Sequence, residues 1–321
     1  MAPAHRSTLE VLPALGNQPT WSARPALRDL RRVLAGTVAL AATVVALAVA
    51  GAAPARAQAP DTLGKIRAAK QITVAFSGDS LPFSYVAAGN VPAGYSIDLC
   101  KRVIAHIGRV AGVTDLKVNW VVGTAADRVA MVASGKAELD CANTTATQTR
   151  MQQVDFSNLV FVDSGGFTVR SDGGIARFGD LAGKRIGVLE GTSTEKRLDA
   201  AIKEKAMNVT VRRLNDGNEG IALLESGGLD AFASDKIKLI GLIAQSKAPG
   251  TLAMLPDDLS YEPLAFAVPR GDSAFRLEVN RALTQVYVSG EIERIFAQWL
   301  GRLGKPSGLL AAMYLLSAIP E

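Results

Sequence analysis

A group of amide, hydroxyl and guanidinium side chains follows a short apolar strand near the middle of the chain. Asn143 and Thr145 stand just beyond the strand that ends at Cys141, and Arg150 comes five residues after Thr145. Hydroxyl and N–H groups can orient a small ligand, and a guanidinium can grip a carboxylate through two parallel hydrogen bonds. Taken alone, the segment is also typical of an ordinary polar loop with a surface arginine, so a ligand site needs support from the rest of the chain.

A second segment repeats the pattern weakly. VAMVASGKAELDCAN over 129–143 aligns without gaps with IALLESGGLDAFASD over 221–235, and Asn143 then corresponds to Asp235. Chance similarity between two strand–helix units is the alternative, since Ser-Gly turns are common. Ligands of open α/β sheets bind beyond the carboxyl ends of strands. Two such units therefore predict two lobes that face one cleft.

The segment GTSTE over 191–195 opens a predicted helix. Thr192 and Glu195 can form a capping box, which is a sufficient structural explanation for both residues. A helix N-terminus with hydroxyls and free N–H groups also binds carboxylates well. Both roles are compatible if Ser193 faces a ligand.

Predicted strands and helices alternate along the chain. Strands are expected over 72–76, 116–122, 185–189 and 209–214, with helices over 95–107, 124–134 and 220–226. This alternation predicts an α/β protein with mainly parallel sheets. Residues 77–96 are predicted to form a turn-rich loop, and 156–170 a long extended run broken by two glycines.

The basic start of the chain is typical of a targeting segment. Residues 1–57 hold six Arg against one Glu and one Asp, so most of the net charge of +5 lies there and a nucleic-acid footprint has no support. An apolar run over 33–53 precedes Ala55-Arg56-Ala57, which fits the small-x-small cleavage rule. We therefore expect a signal peptide over 1–57 and an exported, periplasmic product. The run is long enough for an uncleaved membrane anchor, which is the alternative.

The two cysteines, Cys100 and Cys141, both lie after the predicted cleavage site. In an oxidising compartment they can form a disulfide, and two buried free thiols are the alternative. Their spacing suits neither a metal site nor a CxxC redox motif.

Several motifs together resemble a known family. They are PFSY (82–85), GYSIDL (94–99), DCANTTATQTR (140–150), GTSTE (191–195) and the segment around Asp235. From about residue 72 to 300 the chain resembles the periplasmic polar amino-acid-binding proteins of ABC importers (solute-binding protein family 3), most of all their glutamate/aspartate-binding branch. The resemblance implies a two-lobed, type II flytrap fold with two crossover strands near 162–167 and 261–267. Lobe 1 would be 58–165 plus 265–321, and lobe 2 would be 166–264.

The resemblance also implies roles for individual residues. Arg150 would bind the ligand α-carboxylate together with the backbone of Thr145 and Ser193. Asn143, Thr145 and Asp235 would bind the α-ammonium. The full set of expected ligand-binding residues is Arg150, Asp235, Thr145, Asn143, Ser193, Thr192, Arg128 and Ser77.

The chain departs from the acidic-ligand branch at several places. That branch has an Arg at the position of Ser77, a His at that of Gly217, and commonly a Ser at that of Asn143. Arg128 is what remains of its basic side-chain pocket, and a solvated helix residue is the alternative for it. Glutamate or aspartate is still favoured, narrowly, over a neutral polar amino acid such as glutamine.

The expected function is capture of an amino acid in an interlobe cleft and delivery to an ABC permease in the inner membrane. We expect a monomer with no catalytic residues, cofactor, metal or nucleic-acid partner. A dehydratase-like enzyme on the same fold is one alternative, although the single histidine of the mature part, His106, falls within a helix and is expected to be structural. A ligand-sensing domain for a separate partner is another.

Overall fold

The computed structural model describes residues 61–319. The predicted signal peptide and its cleavage site lie outside the described residues. The N-terminal part contains the elements α1 (Thr62–Ala69), β1 (Gln71–Phe76), β2 (Asp79–Ser80), β3 (Ser84–Ala87), β4 (Val91–Ala93), α2 (Tyr95–Ala111), β5 (Lys117–Val122), α3 (Ala125–Ala133), β6 (Leu139–Asp140) and β7 (Val154–Arg170). The remaining elements are β8 (Arg185–Leu189), α4 (Ser193–Glu204), β9 (Thr210–Leu214), α5 (Gly217–Glu225), β10 (Ala231–Asp235), α6 (Lys236–Gln245), β11 (Leu252–Met254), β12 (Ser260–Pro269), α7 (Ser273–Val288), α8 (Glu291–Leu300) and α9 (Gly308–Ser317).

The main sheet runs in the order β5-β1-β6-β12-β7-β10-β8-β9, and β11 pairs with β7. β1 is parallel to β5 and β6, and β8 is parallel to β9 and β10. The two long strands β7 and β12 are antiparallel to each other and to their other neighbours. The α/β prediction is confirmed, but the sheet is mixed, because two extended segments pass through its middle in opposite directions.

Residues 77–96 contain more structure than the predicted loop. β2, β3 and β4 form a small antiparallel sheet on this segment. These strands are two to four residues long, too short for an alternating pattern to stand out from a sequence rich in Gly and Pro.

The hydrophobic core divides into separate clusters. Two of them draw their buried side chains from positions up to Phe161 and from Leu264 onward. The other two draw theirs from between Phe167 and Leu259. β7 and β12 are the elements that run from one set of clusters to the other. The lobe boundaries expected at 165/166 and 264/265 stay a prediction.

Cys100 and Cys141 form a disulfide, with their Cα atoms 5.9 Å apart. Cys100 lies on α2 and Cys141 follows β6 directly. The bond therefore fastens the end of β6, two residues before Asn143, to a buried helix of the core.

His106 lies at the contact between α2 and α7. Its Nε2 is 2.8 Å from a carboxylate oxygen of Glu278, and both residues are almost fully buried. The expected structural position of this histidine agrees with that contact.

Candidate functional site

All eight residues expected to bind ligand line one cleft. The same cleft is lined by further polar side chains that the sequence reading did not select. These additional polar and charged residues are Asp79, Ser80, Thr124, Thr144, Glu190, Asn215, Ser234 and Lys238. These residues come from both of the chain regions that build the two sets of core clusters, so the cleft lies between the two sets.

Arg150 opens a short 3-10 turn after the loop that follows β6. Its guanidinium donates through Nη1 to the Thr145 carbonyl oxygen at 2.9 Å, and through Nη2 to the Gly191 carbonyl oxygen at 3.3 Å. Burial is the main cause that lowers the pKa of Arg150, and the nearby Arg128 adds to it. A guanidinium is still charged at neutral pH, so the cleft contains a buried cation whose hydrogen bonds go to uncharged carbonyls.

Asp235 lies at the end of β10 and is buried. Its carboxylate accepts from Asn143 Nδ2 at 2.7 Å and from Thr194 Oγ1 at 3.3 Å. Burial and the neighbouring Glu262 raise its pKa to about 6, although the bonds from Asn143 and Thr194 and the charge of Lys238 act in the other direction. A carboxylate in this position would be stabilised by a ligand cation.

Asp163, on β7, is a second buried carboxyl close to Asp235. Its pKa lies well above the ordinary value, first because of burial and then because of Asp235. Backbone N–H groups of Ser164 and Ile237 donate to it. Asp163 and Asp235 therefore disfavour each other's charge.

Glu262 connects the loop that contains Thr145 to the start of α4 at Ser193. Its Oε2 accepts from Thr145 Oγ1 at 2.6 Å and from Ser193 Oγ at 2.7 Å, and Thr145 Oγ1 and Ser193 Oγ are 2.9 Å apart. Ser260 donates to the other carboxylate oxygen. Glu262 is 1% exposed, and it sits on β12, so one buried carboxylate orients hydroxyls from both sides of the cleft.

The loop with Thr145 is also fastened through its backbone. Ala146 N donates to the Pro263 carbonyl oxygen at 2.8 Å, and Ala265 N donates to the Thr144 carbonyl oxygen at 3.1 Å. These bonds extend the β12 ladder onto the loop and hold Thr145 opposite α4.

Thr192 is the N-cap of α4. Its hydroxyl accepts from Glu195 N at 3.1 Å and donates to the Leu189 carbonyl oxygen at 2.7 Å. The Glu195 carboxylate bonds Gly191 N instead of the N-cap N–H, so the expected capping box is only half formed. With its hydroxyl engaged in this way, Thr192 can offer a ligand its backbone N–H, as can the first residues of α4.

Arg128 is buried, and not the solvated helix residue that was the alternative. Its Nε donates to Asp140 Oδ1 at 2.9 Å, Nη1 to the Gly123 carbonyl oxygen at 2.9 Å, and Nη2 to Thr144 Oγ1 at 3.2 Å. Asp140 is fully buried. The positive charge of Arg128 is thus already paired within the protein.

Ser77 and Gly217, where the acidic-ligand branch has basic residues, both contact a third residue, Asp79. Ser77 Oγ donates to Asp79 Oδ1 at 3.0 Å, and Gly217 N donates to Asp79 Oδ2 at 2.9 Å. Lys238 Nζ donates to both carboxylate oxygens at 3.0 Å. Burial by itself would raise the pKa of Asp79, but Lys238 and the Gly217 N–H outweigh it, and the pKa lies below its ordinary value.

The sequence reading missed Glu262, Asp79, Lys238 and Asp140. Lys238 stands one helical turn after Asp235, and Asp79 stands two residues after Ser77, so their spacing was a usable signal. Glu262 lies in an extended run far from the polar loops in sequence, and only the folding of β12 brings it to Thr145.

Comparison with known proteins agrees with this architecture. A model of the bacterial extracellular solute-binding proteins, family 3, matches residues 72–302. The chain belongs to this family. Its fold is the two-lobed type II fold of periplasmic binding proteins, and its relatives include solute-binding proteins of amino-acid ABC importers.

Individual relatives are similar over most of their length. The L-glutamate/L-aspartate-binding protein of Pseudomonas aeruginosa is 31% identical over 271 residues, which cover 84% of this chain and 90% of that protein. The glutamate/aspartate import solute-binding protein of Escherichia coli is 29% identical, over 88% and 92% of the two chains. Among solved structures, an ancestral amino acid-binding protein described as a precursor of cyclohexadienyl dehydratase is 26% identical, with a TM-score of 0.64 over 74% of this chain and 99% of that one.

The family is extracytoplasmic by its description. Within residues 61–319, no helix has the length and apolar character needed to cross a membrane.

Proposed function

We propose that this protein captures a polar α-amino acid between its two lobes and delivers it to an ABC permease of the inner membrane. The observation that carries the proposal is the opposed pair of charges in one buried cleft. Arg150 supplies a cation and Asp235 an anion, and each is held by uncharged partners. A zwitterion presents the complementary anion and cation.

In the proposed complex the ligand α-carboxylate lies at Arg150. Thr145 and the first N–H groups of α4, at Ser193, point their dipoles at the same place, and a helix N-terminus favours an anion by about 0.3–1 kcal/mol or more when partly buried. The α-ammonium lies at Asp235, with Asn143 and the Thr145 hydroxyl as further partners. Thr192 contributes its backbone.

The proposed lobes are 58–165 plus 265–321 and 166–264, joined by β7 and β12. Several contacts already link the two sides: Asn143 to Asp235 at 2.7 Å, Thr145 to Ser193 at 2.9 Å, and Gly217 N to Asp79 at 2.9 Å. A hinge motion about β7 and β12 would open these contacts to admit ligand and reform them around it.

Glutamate and aspartate are the first ligands to test, because the sequence reading favours them and two of the relatives above carry both names. Arg128 and Lys238 are the cations that line the cleft besides Arg150. Glutamine is the second candidate. Each of these two cations already forms an ion pair with a carboxylate of the protein, which favours an uncharged ligand side chain.

Export completes the proposal. A signal peptide over 1–57, cleaved after Ala57, would release a monomeric periplasmic receptor. N-terminal sequencing of the protein purified after export tests this: a start at Gln58 is expected, and a retained residue 33–53 segment would favour the membrane-anchor alternative.

Calorimetric titration of the exported, ligand-stripped protein with the twenty L-amino acids tests the function. Burial of both charged ends should give micromolar or tighter binding, about −8 kcal/mol. Mass spectrometry of the recovered ligand is run in parallel. Unchanged ligand supports transport, chemical conversion would favour the dehydratase-like enzyme, and absence of binding across the panel would remove the proposal.

A further inference from the structure

The charges of the cleft fall into two arrangements. Arg150 and Asp235 are held by neutral partners. Lys238 and Arg128, in contrast, each form an ion pair with a carboxylate, at 3.0 Å with Asp79 and at 2.9 Å with Asp140. The side chains of Lys238 and Arg128 are 5% and 4% exposed, so solvent screens neither pair strongly.

This pairing removes the surplus positive charge that an acidic ligand side chain would need. A third carboxylate that enters beside Asp79 and Asp140 would be attracted by the two cations. Repulsion from the carboxylates of Asp79 and Asp140 would offset that attraction. The entering carboxylate would also lose its own hydration, which is costly for an ion. An amide side chain of the same shape carries no charge and avoids both the attraction and the repulsion.

Hydrogen-bond donors remain for either kind of side chain. An ammonium has three N–H donors, and Lys238 directs two of them at Asp79. A guanidinium has five, and Arg128 directs three of them at Asp140, Gly123 and Thr144. The remaining N–H groups can donate to a carboxylate oxygen, which is the stronger acceptor, or to an amide oxygen, which enters the cleft at a smaller desolvation cost.

We propose that the cleft accepts amide and acidic amino-acid side chains with comparable affinity, and that Asp79 sets this breadth by neutralising Lys238. The inference rests on the proposed function. Asp79 is well placed for this role because it lines the cleft and accepts hydrogen bonds from Ser77 Oγ, Gly217 N and Lys238 Nζ. The charge of Lys238 is thus balanced by Asp79 within the cleft.

The test compares L-glutamate with L-glutamine by calorimetry on the exported protein. For the unaltered chain, the two dissociation constants should agree within about tenfold, because the paired charges leave little net Coulomb energy between the two ligands. D79N removes the neutralising charge and keeps the shape, so the preference should shift toward glutamate by about tenfold or more. K238M leaves Asp79 in place without its cation and should shift the preference toward glutamine.

D199N is the matched control. Asp199 makes an exposed ion pair with Arg213 on the surface, so the same carboxylate-to-amide change should leave both affinities unaltered. Thermal melting of each variant shows whether it is folded, and K238M carries the test if D79N is not.

The outcomes separate this inference from the proposed function. A preference of more than about tenfold in the unaltered protein, or a ratio that neither D79N nor K238M moves, would overturn the role of Asp79 and leave amino-acid capture intact. Binding of some other amino acid without glutamate or glutamine would overturn the inference alone. Absence of binding to any of the twenty amino acids would contradict the proposed function itself.

Discussion

Two groups of charged side chains in the same cleft differ in the partners that hold them. In the first, Arg150 and Asp235 are oriented by carbonyl, amide and hydroxyl groups. In the second, Lys238 and Arg128 are oriented by carboxylates. A buried charge with only neutral partners remains available to a ligand charge, whereas a buried ion pair is satisfied within the protein. Removing a member of the first group should therefore weaken the binding of every ligand, whereas removing a member of the second should mainly lower stability and shift the preference between ligands.

Arg150→Ala gives the largest expected effect. Loss of the guanidinium removes the only proposed cation for the ligand α-carboxylate, and truncating one side of a buried charge pair costs about 2–5 kcal/mol. We expect affinity for every bound amino acid to fall by about thirtyfold or more, with little change in melting temperature. Calorimetry and thermal melting measure the two. Arg177→Ala, at an exposed surface arginine, is the control, and an unchanged affinity in the Arg150 variant would disprove the carboxylate clamp.

Arg128→Ala should act mainly on stability. Asp140 is fully buried and would lose its cationic partner, keeping only the hydrogen bond from the Thr144 hydroxyl. Breaking a buried ion pair typically costs about 3–5 kcal/mol. Denaturant unfolding of the ligand-free protein measures the loss. An unfolding free energy equal to that of the unaltered chain, together with weaker binding, would place Arg128 in the first group. The distinction between the two groups would then be wrong.

Asp235→Asn should move binding and stability in opposite directions. The raised pKa of Asp235, about 6, means that ionising it costs free energy in the ligand-free fold, roughly 1–3 kcal/mol for a shift of this size. The asparagine should weaken amino-acid binding, because it removes the charge that meets the ligand ammonium, yet stabilise the ligand-free protein at pH 7.5. The sign follows from linkage: a carboxyl whose pKa is raised on folding penalises the fold as pH rises from the unfolded pKa, 3.8, toward 6. The stability gain should accordingly disappear below pH 4, and a gain that persists there would exclude the buried charge as its cause.

The smallest expected effect is the pH dependence of affinity. Ammonium binding needs ionised Asp235, and a ligand-free pKa of about 6 leaves roughly a tenth of the molecules ionised at pH 5. Affinity should fall about tenfold between pH 7.5 and pH 5. Titration of the unaltered protein across this range measures it, with Asp199→Asn as a control that should follow the same curve. A flat profile would show that Asp235 is not the group that meets the ligand cation.

The polar loops were predictable because their chemistry is local. Asn143, Thr145 and Arg150 stand together in sequence beyond one strand, and Asp235 stands at the matching place of the second unit. The family motifs and the strand–helix alternation rest on the same short-range patterns. The strand prediction at 185–189 is confirmed residue by residue.

The mixed sheet and the small sheet over 79–93 were not predictable in this way. Strand direction depends on which segments pair, and β7 and β12 pair across about a hundred residues of chain. Strands of two to four residues carry no periodic signal of their own. In both cases the structure depends on which segments of the chain pair, and the sequence of one segment alone does not show this.

The sequence by itself determined the family and the α/β class, and it selected the residues proposed to bind a zwitterion, because each depends on residue types at short, ordered spacings. Only the tertiary structure decided which charges are free and which are paired. Asp79 and Lys238 are 159 residues apart, and Thr145 and Glu262 are 117 apart. The composition gives the number of charged residues but does not show which of them are in contact. These contacts depend on the sheet order and on the two crossing strands, and they separate the charges held by neutral partners from those held in ion pairs.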